Sequence, residues 1–105
     1  MAQRLTSKDY IKRAGLPLPK QIPIEMIDSI VSGLEIAEQD TLPMTVLLCF
    51  ASGYGASKIT GSLCKTHHVV TTAENNGIDL FRTDLAFRHQ YNIGVTKLKE
   101  INLAA

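Results

Sequence analysis

Cys64-Lys65-Thr66-His67-His68 puts a thiol, an amine and two imidazoles within five residues. Groups of this kind support two chemistries. Thiolates and imidazoles hold zinc, and a thiolate beside an imidazole base is a nucleophile. Zinc in a structural site needs four ligands, so Cys49 and His89 would have to complete the set. No paired C-x-x-C or H-x₃-H spacing supports that set. A Cys64 nucleophile would lack a third group to orient its base. Both cysteines stand in apolar surroundings and read as small buried hydrophobes. Two cysteines make no disulfide scaffold and are expected to be reduced in the cytosol. Gly53-Tyr54-Gly55-Ala56-Ser57-Lys58 lacks the G-x-x-x-x-G-K-[ST] spacing of a phosphate loop and reads as a turn between helices. The expectation is a protein that is not an enzyme and carries no metal and no cofactor.

Binding is the remaining class, and charge placement bears on it. The 105 residues carry a net charge of +1, but unevenly. Residues 1–20 hold Arg4, Lys8, Lys12, Arg13 and Lys20 against Asp9. Residues 21–57 hold Glu25, Asp28, Glu35, Glu38 and Asp40 and no Lys or Arg. Residues 58–105 hold six basic groups, four acidic ones and all three histidines. Blocks of this kind suggest distinct faces, although solvated helix surfaces explain them as well. No apolar run approaches the roughly 20 residues of a membrane span, and Met1 to Arg13 has no apolar signal core. Cytoplasm is the expected compartment.

The elements follow from periodicity and punctuation. Tyr10, Ile11 and Ala14 mark one side of a short first helix that Gly15 stops. Leu16-Pro17-Leu18-Pro19 is extended. Pro23 suits a first helical position, and Ile24, Ile27, Ile30, Val31 and Leu34 form a helical stripe. This second helix ends near Ala37 or frays at Gly33. Its stripe serves either its own domain's core or a dimer contact. Met44 to Ala51 is apolar nearly all round and predicts a buried helix. Ile59 and Leu63 predict another, and Cys64-Lys65-Thr66 is short enough for a tight turn. Thr66 to Asn75 predicts the next helix, with Val69, Val70 and Ala73 inward and Asn75-Asn76-Gly77 as its stop. Beyond Gly77 the period changes. Ile78 to Thr83 and Arg88 to Ile93 alternate as strands, with residues 84–87 as the tip between them. Thr96 caps a last short helix with Leu98 and Ile101 inward.

On the 66–76 helix the outward set is Thr66, His67, His68, Thr71, Thr72, Asn75 and Asn76. A helix in the major groove reads base edges with side chains of this size, and Asn suits adenine. No acidic residue occurs from Lys58 to Ala73, and Lys58 and Lys65 can reach phosphates. A surface facing phosphate needs that absence of carboxylates. Two features oppose the reading: six Lys and Arg after residue 57 are few, and Glu74 and Asp84 lie close by.

The order helix, helix, tight turn, helix, strand, hairpin, strand over residues 43–93 resembles the winged helix-turn-helix domain of small bacterial and phage regulators. His68 to Ile78 resembles the end of a recognition helix entering the first wing strand, and Arg88-His89-Gln90-Tyr91-Asn92-Ile93 the returning strand. The resemblance implies a mostly α fold with a small β-hairpin: one domain over residues 1–105. Within it, residues 1–40 form an N-terminal helical extension, 41–94 the winged core and 95–105 a C-terminal short helix. It implies Arg82 and Arg88 flanking a wing tip, where they touch DNA. The function implied is double-stranded DNA binding by a transcriptional regulator of a phage or mobile element, with a homodimer doubling the cationic contacts. The alternative is a winged-helix adaptor or inhibitor that binds protein, not DNA, through the acidic 25–40 segment.

Overall fold

The computed structural model describes residues 22–104. The first helix expected around Tyr10 lies outside the described residues. Five α-helices follow in chain order: α1 (Ile24–Ser32), α2 (Thr41–Ala51), α3 (Ala56–Leu63), α4 (His67–Thr83) and α5 (Leu85–Ala104). A 3₁₀ turn, Glu38–Asp40, leads into α2. None of the described helices is long and apolar enough to cross a membrane.

The core is organised around α2. Pro43 through Cys49 and Ala51 are all buried. A helix that is apolar on every side must be covered on every side, and α1, α3, α4 and α5 all pack against it. Ile24, Ile27 and Val31 give α1 one buried stripe. That stripe is spent on the chain's own core. Gly33 donates to the Ile30 carbonyl at 3.0 Å and α1 stops at Ser32, short of Ala37. The Tyr54 hydroxyl donates to the Ile22 carbonyl at 2.7 Å, tying the entry of α1 to the end of α2.

The main departure from expectation lies beyond Asn76. No strand occurs among the described residues, and the 78–83 and 88–93 segments are helical. The winged helix-turn-helix is therefore replaced by an all-helical bundle, and Arg82 and Arg88 flank no wing. Gly77 does not adopt the left-handed conformation of a helix stop. It continues α4, and its missing side chain lets that helix close onto α2. A Cβ at residue 77 would stand 2.9 Å from Leu47 Cγ and 3.1 Å from the Pro43 carbonyl oxygen. Gly94 does the same for α5, where a Cβ would stand 2.9 Å from Leu48 Cδ1.

Asp84 alone separates α4 from α5. Its carboxylate accepts from the Ala86 and Phe87 amides at 3.0 and 3.1 Å, satisfying the first turn of α5. In the sequence the same residue suits a hairpin tip equally well, because a capping Asp and a turn Asp look alike locally. Phe87, Tyr91, Val95 and Leu98 are buried at spacings of four, four and three, which makes one helical stripe along α5. Phe81 and Tyr91 meet edge to face at 5.2 Å and lock the α4–α5 corner.

Candidate nucleic-acid interface

α3 and α4 are joined by a three-residue turn. α3 buries Ile59 completely and ends at Cys64, which adopts a left-handed conformation with φ 55°. The Cys64 amide donates to the Gly61 carbonyl at 3.3 Å, and the Lys65 amide to the Thr60 carbonyl at 3.2 Å. Together these two bonds make a Schellman cap. Thr66 then opens α4, its side-chain oxygen accepting from the Val69 amide at 3.2 Å. The chain therefore reverses in three residues, each committed by a specific bond or backbone state.

Val70, Ala73, Gly77 and Ile78 turn into the core. The opposite stripe, at spacings of four and three, is His68, Thr72, Asn75, Asp79 and Arg82. Thr66, His67, His68, Thr71 and Thr72 are exposed, as are Lys58 on α3 and Lys65 in the turn. The turn and the first turns of α4 thus expose six of the expected contact residues together, whereas Lys58 lies at the other end of α3, in a depression it shares with Glu25, Tyr54 and Ser62. Asn75 is half-buried while Asn76 is exposed. Val69, expected inward, is 36% exposed.

The two arginines fall elsewhere. Arg82 is exposed near the far end of α4, about 24 Å along the helix from Thr66 at ~1.5 Å per residue. Arg88 is half-buried and engaged. Its Nε donates to the Phe81 carbonyl at 2.8 Å and a terminal nitrogen to the Arg82 carbonyl at 3.1 Å. Its guanidinium also lies 5.2 Å from the centre of the Phe81 ring. Carbonyls at a helix C-terminus lack intrahelical partners, and a cation there answers both the missing bonds and the dipole. Arg88 is a capping residue of α4.

Continuing α4 past Gly77 brings in residues that a strand would have turned aside. Asp79 lies on the outward stripe, two turns beyond Thr72, and marks where a surface suited to phosphate ends. Its place was readable from the i+4 spacing after Asn75, once the helix was continued. Glu74 is half-buried beside the core stripe, and burial pushes its carboxyl above the ordinary value of 4.5.

Cys49 is buried in α2, where desolvation first and the Asp28 charge second push its thiol up to about 12. Cys64 is exposed in the turn. Among the described residues no three His, Cys, Asp or Glu side chains come together to hold a metal ion. The chain matches no protein-family model, no curated protein and no solved structure.

Proposed function

We propose that the chain is a regulator that binds double-stranded DNA through α3, the 64–66 turn and the first half of α4. One observation carries the reading. A three-residue capped turn presents the exposed start of α4, and no carboxylate occurs from Lys58 to Ala73. The N-terminus of α4 adds its own positive partial charge. Lys58 and Lys65 engage phosphates. Thr66, His67, His68, Thr71 and Thr72 face the bases and sugars of a major groove. Two copies on half-sites about 34–36 Å apart would double the cationic contacts.

The test is a titration of labelled random duplex at two salt concentrations. Binding that weakens steeply with salt, at a slope of about −0.9 per phosphate neutralised, supports the reading. Binding that is absent, or indifferent to salt, overturns it.

A second reading has an observation of its own. Glu25, Asp28, Glu35 and Glu38 are all exposed, with Met26, 43% exposed, among them. Exposed carboxylates and an exposed apolar side chain in the same segment suit a basic protein partner. That reading expects no salt-sensitive affinity for DNA and a partner lost on charge reversal at Glu35 and Glu38.

A further inference from the structure

The exposed half of α4 has two edges of different character. One borders α3 and the turn, where Lys58 and Lys65 lie. The other borders the 3₁₀ turn and the start of α2, where Leu42, Pro43, His68, Val69, Thr72 and Asn76 line a shallow depression with Gln39 and Ala73. No Asp, Glu, Lys or Arg among the described residues lines it. The adjoining depression shares Gln39, Pro43 and Asn76 but takes in Asp40 and Asp79. The uncharged stretch of this edge therefore ends at Asn76.

Within that stretch Val69 presents methyl groups to solvent beside Leu42 and Pro43, and Asn76 presents an exposed carboxamide. We infer that this edge of α4 reads A·T pairs, Val69 against a thymine methyl and Asn76 against an adenine. The inference rests on the duplex-DNA reading above. A thymine C5-methyl is the apolar feature of the major groove, and adenine N6 and N7 match the donor and acceptor of a carboxamide. Two helical turns separate the residues, about 10.5 Å at ~1.5 Å per residue. A helix seated in the major groove follows the groove, so the two A·T pairs stand a few base pairs apart within one half-site. Thr72 lies between, and a Thr side chain accepts either base there. Asn75, half-buried, is not part of this edge.

The experiment is selection from a randomised duplex pool by the full chain, followed by affinities on the selected site. The wild type is expected to enrich A·T pairs at two positions within one half-site. Uracil for thymine at one of them should weaken the wild type about four-fold, the worth of one methyl group. The same change should leave Val69→Ala unaffected. A G·C pair at the other position should weaken the wild type roughly ten-fold and Asn76→Ala hardly at all. Asn75→Ala should keep both preferences. Both key residues are exposed, and unchanged melting temperatures confirm intact variants. Salt-sensitive duplex binding whose preferences ignore Val69 and Asn76 overturns this inference and leaves the DNA reading standing. Absence of salt-sensitive duplex binding overturns both.

Discussion

Gly77 and Leu47 are in direct contact across the crossing of α4 and α2: a Cβ on residue 77 would approach Leu47 Cγ to 2.9 Å and Leu47 Cδ1 to 3.0 Å. The obstruction includes the Pro43 carbonyl oxygen at 3.1 Å, a backbone atom that cannot rotate away. Gly77→Ala should therefore destabilise the fold by about 1–3 kcal/mol from overpacking, partly offset by up to ~1 kcal/mol of helix propensity. Gly94→Ala should cost less, because it meets the terminal methyls of Leu48. Denaturant midpoints of the two variants check the order, and an equal or smaller loss for Gly77→Ala would contradict it.

Arg88 and Lys65 are both basic but are expected to act on different properties. Arg88→Met removes the bonds to the Phe81 and Arg82 carbonyls and should lower stability by about 1–3 kcal/mol. It should leave the salt slope of duplex binding intact. Lys65→Ala should leave stability within ~0.5 kcal/mol and reduce the slope by about 1. Melting curves and a salt titration of the same two proteins separate the roles.

Cys64 holds φ 55° without being glycine. The left-handed region costs a residue with a Cβ roughly 1–2 kcal/mol, and some of the gain from removing that Cβ is lost to a more flexible unfolded chain. Cys64→Gly should raise stability by about 0.5–1 kcal/mol, whereas Cys64→Val should lower it. A fall in unfolding midpoint for the glycine variant would show that the Cys64 side chain contributes more than its backbone costs.

Burial raises the Glu74 carboxyl above its ordinary 4.5. The native state therefore holds this proton more tightly than the unfolded chain does. The associated stability is fully present below pH 4.5 and is lost as pH rises through the raised value. Glu74→Gln should remove that part of the decline and be more stable than wild type at neutral pH. Parallel pH profiles of unfolding free energy test it, and identical profiles would reject it.

Several elements were legible from residue order alone because local signals and tertiary demands agree there. Ile24, Ile27 and Val31 mark a buried stripe in any helical reading. Met44 to Ala51 has no polar face to expose. Cys64-Lys65-Thr66 leaves room only for a tight reversal, and Thr66 is a standard N-cap type. For the candidate interface, this sufficed to place Lys65, Thr66, His67, His68, Thr71 and Thr72 on one exposed stretch.

The stretch after Asn76 was decided by packing. Asn-Asn-Gly is the same local signal whether the glycine ends a helix or lets one pass close to another. Ile78 and Leu80 fit a strand's alternation while Ile78 and Phe81 fit a helix's spacing, and so short a span does not separate the two. The choice rests with Leu47, Pro43 and Leu48, some thirty to forty-six residues upstream, whose crowded surfaces demand glycines at 77 and 94. Chain order determined which faces are apolar and where the turn before α4 falls. Only the three-dimensional crossing of α2 with α4 and α5 determined that both continue as helices, because steric fit between distant segments leaves no trace in local periodicity.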